Sequence, residues 1–386
     1  MSPRPQLLSA EQMERHGKTL ARSHRVELDR RRSRDLLLGR LGETQAVFDR
    51  ACAMLSAAAR AGRTLTPAGD WLLDNIYLIE EQIAIARRHL PKGYSRELPR
   101  LSQGASQALP RVYDIALNAI SHSDGRVDAD SLGRFVAAYQ SVAPLTLGEL
   151  WAIPIMLRLA LIENLRRVSA RLIVDRGHRD LADLWADRMT EVAEADPKRL
   201  VIVIADMARS TPPDSSAFVA ELARRLQGQS SALALPLTWV EQWLADTDQT
   251  IEQLVQVENR QQAAAQVSVS NSIGSLRLLS MLDWREFVES TSLVERLLRQ
   301  DPHGTYGRMD FATRDRYRHV AEQIARRARR SEIDVAALVL QRAQAAAHAH
   351  STDALAAHVG YHLVDDGRRA LEAELSLRGG IGGKLR

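Results

Sequence analysis

Between Pro67 and Ile83 the apolar residues Leu72, Ile76, Ile79 and Ile83 recur at spacings of four, three and four. In an α-helix those positions share one side, so the segment predicts an amphipathic helix with Pro67 at its start, where a missing N–H costs nothing. No comparable run of strand-like alternation stands out. Aromatic residues make up only 5% of the chain, while Ala and Leu recur throughout. That mixture suits interlocked helices better than sheets built from β-branched and aromatic side chains. The expected fold class is all-α, an irregular multi-helix bundle of two packed helical subdomains.

Breaker residues divide the chain. Residues 1–66 read as a charged N-terminal helical segment, with one long helix from Ser9 to about Arg60. A helical subdomain is expected at 67–210. Within it, Pro91, Gly93, Pro99, Gly104 and Pro110 mark an extended connection, and helices follow from about Arg111, then over 128–142, 146–175, 178–193 and 198–209. Asp128 and Thr146 stand where N-caps belong. Thr211, Pro212 and Pro213 mark the boundary to a second subdomain at 214–376, with helices near 215–227, 236–262, 268–281, 284–299, 312–330, 332–348 and 353–377. Gly379, Gly380, Gly382 and Gly383 predict a flexible tail at 377–386. No fixed-period repeat is apparent.

The sequence excludes several classes of chemistry. It contains neither GxxxxGK[ST] nor GxGxxG, the glycine patterns that cradle phosphates at helix starts. Cys52 is the lone cysteine, so no internal disulfide or cysteine-built zinc cage can form. No apolar stretch is long enough to span a bilayer, and no signal peptide is visible at the N-terminus, so the chain is expected in the cytoplasm. The 52 basic residues nearly balance 48 acidic ones, for a net charge of +4. The densest basic runs, Arg30 to Arg34 and Arg326 to Arg330, lack interleaved aromatics. They fit a solvated face or an anionic lipid surface better than nucleic acid.

Some pairings could carry chemistry. Asp128 with Asp130, and Asp246 with Asp248, could hold a cation, but in helical settings. His358 and His362 share a helix face at metal-ligand spacing without the Glu of HExxH; His348 and His350 lie nearby. These histidines read as surface or satisfied groups, and no metal or cofactor is expected. Asp74, Glu80, Glu81, Glu149 and Glu163 lie on apolar helices. Inter-helix ion pairs, with partners such as Arg158 or Arg166, are favoured there over a glycosidase dyad.

Several blocks resemble a known family. They are WLLDNIYLIEEQI (Trp71 to Ile83), GYSRELPRL (Gly93 to Leu101), PRVYDIALN (Pro110 to Asn118), LTLGELWAIP (Leu145 to Pro154), LRLALIENLRR (Leu157 to Arg167), Ser270 to Ala325 with its string YGRMDFATRDRYR, and HVGYHLVDDGRRALE (His358 to Glu372). In this order they resemble the region before the first transmembrane segment of cyclic β-1,2-glucan synthases. The resemblance implies a part in making β-1,2-linked glucan from UDP-glucose. In that family the glucosyl-transfer, membrane-spanning and phosphorylase-like domains lie beyond the matched region, so no catalytic residue carries over. The implied role is a non-catalytic scaffold or regulatory segment at the inner face of the bacterial inner membrane, with the membrane-embedded glucosyltransferase and phosphorylase-like domains as partners. Alternatives are a free-standing helical interaction protein and an autonomous carbohydrate-active enzyme. The latter requires at least two acids converging on open solvent.

The segment from Tyr306 to Arg318 alternates acids and bases around three aromatics. Tyr306, Arg308, Asp310, Arg314 and Arg318 are the candidate partner contacts. The competing reading is a loop pinned to the following helix, with Asp310 and Thr313 near its N-cap and the charges paired locally.

Overall fold

The computed structural model describes residues 6–27, 36–90, 94–246, 248–349 and 354–382, and they form an all-α architecture. The first half contains α1 (Ala10–Ser23), β1 (Val26–Glu27), α2 (Leu36–Arg60), α3 (Pro67–Asp74), α4 (Ile76–His89), α5 (Tyr94–Glu97), β2 (Arg100–Leu101), α6 (Arg111–His122) and α7 (Ala129–Gln140). Then come α8 (Leu147–Ala195), α9 (Leu200–Arg209), α10 (Ser216–Leu226), α11 (Ala234–Ala245) and α12 (Ile251–Leu278). The last third holds α13 (Trp284–Thr291), α14 (Leu293–Leu298), α15 (Phe311–Ala328), α16 (Glu332–His348), α17 (Val359–Val364) and α18 (Gly367–Gly382).

The helix expected from Ser9 to Arg60 is interrupted. Helix α1 ends at Ser23 because His24 turns extended and its ring is held between Tyr139 Oη at 2.8 Å and Asp114 Oδ2 at 3.1 Å. The chain then pairs β1 antiparallel to β2, Val26 opposite Leu101. The amphipathic segment from Pro67 divides at Asn75, which ends α3 and begins α4. Its amide donates to the Trp71 carbonyl at 3.0 Å, and its Oδ1 accepts from Arg277 of α12 at 2.9 Å, so tertiary bonds hold the break. Helix α18 continues through Gly382, where a flexible tail was expected from 377; residues 383–386 lie outside the described ones.

Helix α8 runs 49 residues without the break expected near Gly177. Thr146 and Glu149 form a reciprocal capping box at its start. Gly177 is exposed with nothing near its missing Cβ, so its cost is the ordinary glycine penalty of about 1 kcal/mol. Pro154 removes one ladder bond, a loss of about 3 kcal/mol or more. Burial of Leu150, Ile153, Met156, Leu157, Leu161 and Leu165 around it offsets that loss. The break expected between 262 and 268 is likewise absent, and α12 passes through Ala263 to Ala265. A separation does occur at 246–250, within the segment read as one helix, where Asp248 adopts φ +53° and Thr250 caps α12.

The buried side chains gather in three cores. The first joins α2, α4, α6, α7 and the first half of α8 to Val269, Ile273 and Leu276 of α12. The second joins the far half of α8, from Ala182 to Ala193, to α9, α10, α11 and the start of α12. The third holds α14 to α18. Helices α8 and α12 each serve two cores. The Thr211–Pro213 break lies within the second, since α9 before it and α10 after it both pack there. The contact between α12 and α8 also carries polar bonds: Asn164 donates to Ser268 and Ser272 at 3.0 and 2.9 Å. Gly125, at φ +78°, fits only as glycine there, because a Cβ would stand 2.3 Å from Ser272 Oγ.

No helix among the described residues is long and apolar enough to cross a membrane.

Candidate functional site

The segment from Tyr306 to Arg318 folds as one helical turn at Tyr306–Arg308, then an Asp310 cap whose carboxylate accepts from the Thr313 N–H at 2.9 Å, then α15. Arg314 and Arg318, four residues apart, lie on the side of α15 that meets α13 and α14. There they find Glu289 and Glu295. Arg314 grips Glu289 with two parallel bonds of 2.9 and 2.8 Å. Arg318, whose side chain is 0% exposed, donates through Nη1 to both Glu289 and Glu295 and through Nη2 to Asp315. Glu295 is 1% exposed and also accepts from Tyr306 Oη at 2.7 Å and Arg299 Nε at 2.8 Å. Burial alone would raise the Glu289 carboxyl, but the bonds from Arg314 and Arg318 outweigh it and hold it below its ordinary range. Burial and the Glu295 carboxylate together push the Tyr306 phenol upward.

Of the five candidate contact residues, Tyr306 and Arg318 are therefore interior members of an ion-pair node, and Arg314 is nearly so. Arg308 and Asp310 remain exposed. Beside the node, Asp301 gathers the N–H groups of Thr305, Tyr306 and Val359 and the Nδ1 of His358. Burial opposes ionisation of Asp301, but these donors prevail and lower its pKa. His358 and His362 do not converge: His362 bonds the Ala356 carbonyl through Nε2, and burial lowers its pKa. His348 bonds the Gln344 carbonyl; His350 lies outside the described residues. Among the described residues, no group of three His, Cys, Asp or Glu is placed to hold a metal ion.

The helical carboxylates fall into two sets. Glu149 is 0% exposed and held bidentately by Arg111 at 2.8 and 2.6 Å. Glu163 pairs with Arg166, one of the expected partners, whereas Arg158 donates to Gln82. Asp74, Glu80 and Glu81 lie on the surface. A cavity of about 610 Å³ near the second core carries Asp183, Glu221 and Glu258, each engaged by an arginine.

The C-terminal half of α15 borders a larger cleft of about 1290 Å³, which sequence reasoning did not find. Its walls come from the segment around α5 and β2, the first turns of α8, and the α15–α16 junction. No local motif marks it, because its walls come from segments far apart in the sequence. Trp151 lines it and meets Phe311 edge-on at 6.2 Å; Phe311 in turn lies against the Arg318 guanidinium, so node and cleft share a wall. Arg326, Arg329 and Arg330, part of the basic run noted in the sequence, line the same cleft. Arg329 adopts φ +52° at the end of α15.

Glu332 caps the floor. Its carboxyl accepts from the Leu147 N–H at 2.8 Å, tying the start of α16 to the start of α8. Burial raises its pKa to about 7 against that hydrogen bond, with help from the Glu322 and Glu149 charges. The folded carboxyl keeps its proton up to about pH 7, whereas the unfolded one releases it near its ordinary 4.5. Stability from this group is complete below 4.5 and lost as pH rises through 7. Glu332→Gln is expected to stabilise the protein by about 1–2 kcal/mol at pH 8, a figure discounted for partial exposure, and to change nothing at pH 4. Urea denaturation at the two pH values checks this; equal effects at both would remove the protonation argument.

No protein-family model matches the chain. Among curated proteins, 322 residues, 83% of the chain, are 32% identical to the cyclic beta-(1,2)-glucan synthase NdvB of Rhizobium meliloti (strain 1021). The match spans 11% of that protein. The resemblance to cyclic β-1,2-glucan synthases thus extends over most of this chain, and this chain corresponds to a small part of such an enzyme.

Proposed function

We propose that this relative of part of a cyclic β-1,2-glucan synthase serves glucan synthesis as a non-catalytic helical scaffold or regulatory segment. It would pack against the membrane-embedded glucosyltransferase and phosphorylase-like domains at the inner face of the inner membrane. The observation that carries the proposal is the 32% identity over 83% of the chain. The structure adds support from the carboxylates: the buried Glu149, Glu258 and Glu295 and the partly buried Glu289 are each bonded to arginines, and acids paired in this way are poor proton shuttles. Arg308 and Asp310 are the exposed candidates for partner contact.

The test uses labelled UDP-glucose and membranes carrying the glucosyltransferase and phosphorylase-like domains, with and without this chain. Glucan is expected only in the combined reaction. Label incorporated by this chain alone would overturn the non-catalytic reading, and equal yield without the chain would overturn its participation.

A further inference from the structure

The cleft between α8, α15 and α16 has a charge pattern that selects among ligands. Glu27, Glu97, Glu322 and Glu332 supply four carboxyl groups. Arg100, Arg326, Arg329 and Arg330 supply four guanidiniums. With Glu332 protonated below about pH 7, three carboxylates face the four guanidiniums, so the charges nearly balance. A nucleoside diphosphate brings concentrated negative charge, and would set its phosphates beside the carboxylates of Glu27, Glu97 and Glu322. A hydroxyl both donates and accepts, so a polyol can use forks and carboxylates together. Glu322 and Arg326, bonded to each other at 2.7 Å, present both functions side by side.

Aromatic walls favour the same ligand. Tyr94 and Trp151 are half-buried along the cleft, and rings of this kind offer flat apolar surface to the C–H faces of a pyranose. The Trp151 indole N–H is buried without an acceptor among the described residues. The volume exceeds the roughly 300–1,000 Å³ usual for compact small-molecule pockets, which suits an elongated chain of several sugar units.

We infer that this cleft binds a neutral saccharide chain rather than a nucleotide sugar. The inference deepens the role in glucan synthesis proposed above and rests on it for the identity of the saccharide. The cleft would hold a stretch of polymer while the chemistry takes place on another domain.

The probes are linear β-1,2-linked glucose oligomers and UDP-glucose, titrated separately into the purified chain and followed by calorimetry and tryptophan fluorescence. The oligomers are expected to bind saturably and UDP-glucose not to compete. Glu322→Gln and Trp151→Ala, each checked for an unchanged melting curve, are expected to weaken binding about tenfold, the equivalent of one lost hydrogen bond to a charged group or one lost ring face. Glu322 is only partly buried, so at least that variant should fold. No saturable oligomer binding overturns the inference, as does binding that both variants leave intact. UDP-glucose binding that those variants abolish assigns the cleft to the nucleotide sugar instead. If the oligomers fail to bind while the membrane reaction still requires the chain, the saccharide site falls and the role in glucan synthesis stands. If they bind at the cleft and the reaction proceeds without the chain, the reverse holds.

Discussion

Arg318→Met is expected to cost about 3–5 kcal/mol of folding stability, because it leaves Glu295 charged in an interior that 1% exposure closes to water. The intact pair is a different quantity: desolvating both ions consumes most of their attraction, so the node contributes little net stability while being expensive to break. Remaining donors soften the loss without replacing the arginine. Tyr306 Oη and Arg299 Nε still reach Glu295, but Glu289 also loses its Arg318 bond. Arg318→Lys should recover little, since an ammonium cannot span Glu289, Glu295 and Asp315 with a planar fork. The control is Arg316→Met on the same helix, where the side chain is exposed and the change should stay within about 0.5 kcal/mol. Chemical denaturation measures all three. A loss below about 1 kcal/mol at Arg318 would mean that water reaches the node.

Arg111→Leu is expected to have a loss of the same size, about 3–5 kcal/mol, at a second buried pair. Arg111 joins the start of α6 to the start of α8, holding Glu149 with one fork and the Pro144 carbonyl at 3.0 Å. Here the double variant is informative. Arg111→Leu with Glu149→Leu removes both charges and should recover most of the loss. Recovery should fall short by about 0.5–2 kcal/mol, because Glu149 also accepts from the Thr146 N–H in the capping box of α8. If the double variant is no more stable than the single one, then the cost of Arg111→Leu lies in packing rather than in a stranded carboxylate.

Helix starts were legible because capping is local. Asp128, Thr146 and Ser215 cap where polar residues precede an apolar run, and Pro67 begins α3 as its missing N–H permits. Interruptions were less legible, since they depend on distant partners. Asn75 breaks a continuous apolar stripe only with Arg277 against it, 202 positions away. The break expected between 175 and 178 is absent, because the exposed Gly177 costs too little to end a helix packed along both its halves. At the node, the i,i+4 spacing of Arg314 and Arg318 was a readable sign of a shared face. Which carboxylates they meet was not, because Glu289 and Glu295 sit on other helices. The local-pairing reading correctly anticipated the Asp310 cap, while the burial of Tyr306 left no trace in spacing. The cleft was invisible for the same reason, as its carboxylates and forks meet only after three separate parts of the chain have packed.

Helix α8 gives the fold leverage. Forty-nine residues at about 1.5 Å each make a rod of about 73 Å. Its first turn borders the cleft and receives Glu332, while its last turns are embedded in the second core. A tilt of about 5° pivoting at the cleft would carry the far end of such a rod about 6 Å. If an occupant beside Trp151 tilted this rod, the helices around Ala182 to Ala193 would lie where the swing is widest.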